Sequence, residues 1–184
     1  MVNFTETIKR TREIDCCISI ANSFNEKQVC KILKSILQHN MTSLVFFEKN
    51  TFTKKIIVSL DNLLKVCKSL KHVYFKKCTI PQELSKYFSN AFAKNNLESI
   101  DIILAPKAEL YYSQMFALVI QQSKFENIYF SCDSGNIVPV LENINTSTER
   151  LFIKFGVVDE INLRAISILI THNKNIKDLV ICSY

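Results

Sequence analysis

The sequence predicts an α/β chain in which short strands and helices alternate in a repeating coil. A parallel sheet lines the concave side and helices cover the convex side. Three observations predict this. An apolar motif recurs about every 27 residues through nearly the whole chain. After each recurrence the apolar period changes from 2 to about 3.6, the mark of a strand followed by a helix. The 184 residues are 48% apolar and 22% charged, which supports a buried core and excludes a disordered chain. Two Gly and three Pro also exclude a flexible linker or a collagen-like chain.

The motif is clearest at Leu70, Val73, Phe75, Cys78 and Ile80, which fit L-x-x-L-x-L-x-x-N/C-x-L with Cys in the Asn/Cys slot. Met41, Leu44 and Phe46 fit the same frame, as do Leu97, Ile100 and Ile102, then Phe125, Ile128 and Phe130. Leu151, Ile153 and Val158 fit a frame beginning at Thr148, and Ile176, Leu179 and Ile181 fit the last. At the start, Ile14, Cys17, Asn22 and Phe24 fit with Ser19 as a defect. The frames therefore begin at residues 14, 41, 70, 97, 125, 148 and 176. The interval from 125 to 148 is the shortest and predicts a stunted helix. This spacing resembles the leucine-rich-repeat family, in its ribonuclease-inhibitor-like class, over residues 14–184. The resemblance implies a horseshoe solenoid. It also implies a side chain in the Asn/Cys slot that satisfies backbone groups of the turn. That slot reads Asn22, Lys49, Cys78, Ala105, Asp133, Gly156 and Tyr184. Lys49, Ala105 and Gly156 depart from the pattern, so irregular turns are expected there, or a frame shifted by one, since Asn50 adjoins Lys49.

Each strand should lead into an amphipathic helix. Val29, Ile32, Leu33, Ile36 and Leu37 form the first stripe, with Lys27, Lys31, Lys34 and Gln38 opposite. Leu60, Leu63, Leu64 and Cys67 form the second. Leu84, Phe88, Ala91 and Phe92 form the third, after Pro81 at a first-turn position. Met115, Phe116, Val119 and Ile120 follow. Ile166, Leu169 and Ile170 come last, after Asp159 and Glu160, acids that suit a helix N-terminus. His39-Asn40, Asn95-Asn96 and His172-Asn173 close helices, and Asn tolerates the left-handed exit that Gly would otherwise supply. One unit cannot bury its own apolar face, whereas stacked units bury a continuous core.

Residues 1–13 are polar and should form a cap or tail, with one domain of about seven units over 14–184. The last motif is incomplete at Tyr184, so either the natural protein continues or a partner or second copy covers the sheet edge. No apolar run approaches the ~18 residues of a membrane span, and the opening carries no Sec-type apolar core. Seven cysteines without a CxxC pair read as reduced core thiols of a reducing, cytoplasmic compartment, not as a disulfide or zinc framework.

Residues between the motif's apolar positions should point outward. The central outward row reads Ile18, Val45, Tyr74, Asp101, Tyr129, Phe152 and Val180. Two residues later lie Ile20, Phe47, Lys76, Ile103, Ser131, Lys154 and Cys182. Two earlier lie Cys16, Ser43, His72, Ser99, Asn127, Arg150 and Asp178. Phe47, His72, Tyr74, Lys76, Asp101, Tyr129, Arg150, Phe152 and Lys154 thus form the candidate partner-binding set, because aromatics beside basic groups anchor protein interfaces. From Lys49 to Lys94, ten lysines face two acids, Asp61 and Glu83. That imbalance favours a protein partner with an acidic surface. The absence of Arg from the stretch and of any RNA-binding signature argues against nucleic acid. No Gly-rich phosphate loop, GxSxG or HExxH occurs, so no catalysis and no cofactor are expected. Cys132 is the best candidate for a reactive thiol. The expected function is a non-catalytic protein-interaction module. The Lys-, Asn- and Ile-rich style resembles leucine-rich-repeat effectors delivered by intracellular bacteria, which would place the working chain in a host cytosol. The other readings are a targeting module of a larger enzyme such as a ligase, and a self-assembling structural protein.

Overall fold

The computed structural model describes residues 17–20, 24–39, 41–46, 50–93, 95–105, 110–133, 137–156 and 159–183. Seven strands alternate with six α-helices among them. The strands are β1 (Cys17–Ile20), β2 (Ser43–Phe46), β3 (His72–Lys76), β4 (Ser99–Ile103), β5 (Asn127–Cys132), β6 (Arg150–Phe155) and β7 (Asp178–Ser183). Between consecutive strands lie α1 (Glu26–Ile36), α2 (Lys54–Val66), α3 (Ser85–Ala91), α4 (Leu110–Gln122), α5 (Val138–Leu141) and α6 (Glu160–His172). A 3-10 turn at Gln82–Leu84 precedes α3. The strands form one sheet in the order β1-β2-β3-β4-β5-β6-β7, and every neighbouring pair is parallel. Each connection is therefore a crossover through a helix.

Six strands begin two residues into their sequence frames, but β1 begins at Cys17. Ser19, not Ile18, pairs with Val45. Ile18 and Ile20, expected on the outward rows, are buried. The first frame is thus one residue late of its reading, and a one-residue shift flips every side chain. Cys16, Asn22, the cap assigned to residues 1–13, and the slot residues Lys49 and Tyr184 lie outside the described residues.

Alternation makes the core. Leu44 and Phe46, Val73 and Phe75, Ile100 and Ile102, Ile128 and Phe130, and Leu151 and Ile153 are buried along one face of the sheet. They join the buried helical residues in a single cluster. Phe75 lies among five other rings, those of Phe46, Phe52, Phe88, Phe92 and Phe116. Its ring stacks on Phe46 at 5.4 Å and meets Phe88, Phe92 and Phe116 at 5.4, 5.9 and 6.0 Å, tilted or edge-on, the arrangements that aromatic quadrupoles favour. Helix starts are capped by Asn25, whose side chain accepts from Gln28 N, by Thr53 and by Asp159. The short interval before β6 gives the four-residue α5, as its length predicts. Leu37 and Ile170, expected in core stripes, are exposed. Leu163, seven residues before Ile170 on α6, is exposed with it.

Successive units are tied by side chains that reach back to the preceding unit's carbonyls. Asn50 is buried and its Nδ2 donates to Ile20 O at 2.8 Å. Cys78 Sγ donates to Phe46 O at 3.4 Å. Ile20 and Phe46 are register partners, so Asn50, not Lys49, fills the same role as Cys78. Burial pushes the Cys78 thiol up to about 12, so it stays a neutral donor. At Gly156 the backbone itself closes in: its N–H donates to Cys132 O at 3.2 Å, and a Cβ there would lie 1.6 Å from Asp133 O. No side chain fits that slot.

A second series of bonds runs along the helix exits. Ser123 Oγ donates to Phe92 O at 3.0 Å, Asn145 Nδ2 to Ile120 O at 3.1 Å and to Ser123 O, and Asn173 Nδ2 to Asn145 O at 3.1 Å. Asn95, Asn145 and Asn173 each also accept from the amide two residues on, an Asx turn. These asparagines therefore act through their side chains. The left-handed exit expected of them does not occur at Asn95 or Asn173; Lys77 (φ 52°) is the one non-glycine residue with positive φ among the described residues.

Phe75→Ala should cost about 3–5 kcal/mol in urea unfolding, and a loss under about 1 kcal/mol would take Phe75 out of the core. Asn145→Ala should cost about 1–3 kcal/mol, because it takes the side-chain donor from two carbonyls at once, Ser123 O and Ile120 O, of which Ile120 O keeps the Ser123 N–H at 3.3 Å. An unchanged urea midpoint would mean that the helix-exit bonds hold nothing.

Candidate functional site

The sheet face opposite the core carries the candidate residues. His72, Tyr74 and Lys76 stand on β3, Asp101 on β4, Tyr129 on β5, and Arg150, Phe152 and Lys154 on β6; all are half-buried or exposed. Phe47 lies outside the described residues. Register builds three rows across the strands. The central row runs Ser19, Val45, Tyr74, Asp101, Tyr129, Phe152, Val180. A second runs Ser43, His72, Ser99, Asn127, Arg150, Asp178, and a third runs Lys76, Ile103, Ser131, Lys154, Cys182. The parallel ladder thus sets in one row residues as far apart in sequence as Ser19 and Val180.

Neighbours on this face pair by type. The Tyr129 and Phe152 rings stack with centroids 4.5 Å apart and planes 7° apart. This cross-strand pair stiffens the sheet and offers a flat apolar surface. Burial raises the Tyr129 phenol above its ordinary range, with the Asp101 charge adding to it and a hydrogen bond to Ser131 opposing it. Arg150 Nε lies 3.3 Å from Asp178, with both side chains largely exposed, so that pair contributes little.

The centre is polar. The His72 Nδ1 and Ser99 Oγ atoms share a short hydrogen bond across β3 and β4. The hydroxyl reaches His72 from the neighbouring strand, 27 residues on in the sequence. Burial raises the Asp101 carboxyl, partly opposed by His72. A depression of about 250 Å³ opens here, lined by residues that include Ser43, Val45, His72, Tyr74, Ser99 and Asp101. Histidine, serine and aspartate are the residue types of a hydrolase triad. However, the strand amides around Ser99 are engaged in the ladder, which leaves none to stabilise an oxyanion at its hydroxyl.

The other expectations fall elsewhere. Cys132, the best candidate for a reactive thiol, is buried, because at the end of β5 it shares the inward parity of Ile128 and Phe130. Among the described residues no three His, Cys, Asp or Glu side chains group as a metal site requires. No described helix is long and apolar enough to cross a membrane. The lysine-rich stretch does not form one patch. Lys55 pairs with Glu26, Lys65 with Asp61 and Lys71 with Glu98, Lys54 lies over the Tyr87 ring, and Lys76 is on the open sheet face. Lys49 and Lys94 lie outside the described residues.

Asp101 carries a testable cost. Burial favours its neutral form more in the folded than in the unfolded chain, so its folded pKa is the higher one. The penalty for the charged form is therefore present above the folded pKa and vanishes as pH falls through it. Asp101→Asn should raise Tm by about 1–3 °C at pH 7. The gain should shrink as pH falls into the ordinary carboxylate range, where the wild-type acid takes up its proton in the folded and the unfolded chain alike. No gain at pH 7, or one that persists at low pH, would contradict this.

No protein-family model matches the chain, and no curated protein matches it.

Proposed function

We propose that the chain is a leucine-rich-repeat solenoid of the ribonuclease-inhibitor-like class. On this reading it is a non-catalytic module that docks a protein partner on the concave face of its sheet. One observation carries this: the central row Val45, Tyr74, Asp101, Tyr129, Phe152 and Val180, in unbroken register across six strands, is left uncovered by the helices. The repeat reading is further supported by two features: strands paired in chain order, and equivalent reach-back bonds from Asn50 and Cys78 in adjacent units. Sheets of this kind present wide binding surfaces because each unit adds one strand's worth of side chains to the same wall.

The binding mechanism follows from rigidity. Tyr and Phe supply large contact area with few rotatable bonds, and the Tyr129–Phe152 stack is formed before any partner arrives. A partner therefore meets a surface that loses little side-chain entropy on association. The polar groups around Asp101 would set orientation, and the aromatic pair would supply apolar burial.

Tyr74→Ala combined with Tyr129→Ala should abolish partner capture from lysate while Tm stays within about 5 °C of the wild type, because neither ring belongs to the main core. Undiminished capture would remove the open face as the binding surface.

A further inference from the structure

The proposed binding face has an unequal charge pattern whose centre specifies the partner's chemistry. Asp101 is the one carboxylate in the central row, set in register between Tyr74 and Tyr129, with Phe152 stacked beyond. The other acid on the face, Asp178, already has Arg150. At the strand entrances Glu98 has Lys71 and Glu149 has Lys177. Among the described residues no hydrogen bond or ion pair holds the Asp101 carboxylate, and only the His72 ring favours its charged form. A half-buried carboxylate without a partner is costly, and proteins ordinarily pair or hydrogen-bond such groups. The depression beside it is lined by hydroxyls and an aromatic ring, and its volume of about 250 Å³ admits the head of a long side chain.

We infer that Asp101 is the anchor point for a cationic side chain, an arginine or lysine, presented by the protein partner. The cation meets the carboxylate while its apolar stem lies along the Tyr74 and Tyr129 rings. Arginine suits the slot best, since its planar head pairs with a carboxylate through two parallel bonds and stacks on aromatic faces. An anion is disfavoured, because the carboxylate repels it and His72 Nδ1 is bonded to Ser99. The raised carboxyl of the free protein fits this role, because the charge of a bound cation would offset the desolvation that burial imposes on the carboxylate. The slot thus reverses the acidic partner expected from the lysine count, of which Lys55 and Lys65 lie on α2 in ion pairs, Lys71 pairs with Glu98, and Lys76 stands on the open face. The inference rests on the open face being the binding surface.

The test uses the whole chain and a displayed library of random dodecapeptides. Peptides are selected on the wild type and measured on Asp101→Asn, Asp101→Lys and the Tyr74→Ala/Tyr129→Ala variant, each first shown to be folded by circular dichroism. Wild-type selections should share an arginine or lysine at one position. Changing that residue to Gln, or Asp101 to Asn, should each weaken binding about tenfold or more. Making both changes should add little, as expected for coupled partners, and Asp101→Lys should turn the preference toward Glu. Peptides that need both tyrosines but carry no basic residue, or that bind Asp101→Asn as well as wild type, would overturn the cation slot and leave the open face standing. Peptides indifferent to the tyrosines, or no selected binders at all, would overturn both.

Discussion

The structure depends on in-register parallel pairing of strands whose alternate residues are buried. Because each strand is parallel to its neighbours and follows them in chain order, a residue's parity fixes its face for the whole sheet. Phe46, Phe75, Ile102, Phe130 and Ile153 fall on the core side, while Val45, Tyr74, Asp101, Tyr129 and Phe152 fall on the other. The hydrophobic effect on one face therefore places the functional candidates on the opposite face without any contact designed among them. The polar chemistry at the centre is a by-product of register: His72 meets Ser99 only because β3 and β4 align with no slip.

Register alone does not stop the units from sliding or splaying, and the reach-back bonds do that. Strand and helix ends leave carbonyls that need donors, and the next unit provides them: Asn50 for Ile20, Cys78 for Phe46, Ser123 for Phe92, Asn145 for Ile120. At Ile80, both backbone groups are met by α4, the N–H by the Tyr112 hydroxyl at 3.2 Å and the carbonyl by Tyr111 at 2.9 Å. Because the donor differs at each step, the sequence period can vary. The unit with the four-residue α5 is still held by Asn145 and by Thr148, whose hydroxyl donates to Phe125 O at 3.1 Å.

Strand positions were legible where apolar and polar residues alternate strictly, as in His72-Val73-Tyr74-Phe75-Lys76. They were misread at β1, where Cys16-Cys17-Ile18 offers apolar residues on both parities and the motif could be laid down one residue early. Asn50 was visible only as a neighbour of the expected slot; its burial and its bond to Ile20 O decide the matter. The asparagines at helix ends are legible in the sequence, but the role of their side chains is not: each accepts from the amide N–H two residues on and no left-handed exit is made at Asn95 or Asn173. Pairings that depend on two units, such as His72 with Ser99, could not be read from one unit's text. Cys132 was misplaced because nothing local says that β5 runs two residues beyond Phe130.

The open row of side chains from Val45 to Val180 exists only if parity and register are as described, and ring-to-ring nuclear Overhauser effects test that most directly. Selective labelling of Tyr and Phe should show cross-peaks between Tyr129 and Phe152, whose rings stack 4.5 Å apart, and separately between Phe46 and Phe75, with none linking the two sets. Cross-peaks from Tyr129 to Phe75 or Phe116 would put it in the core and contradict the account.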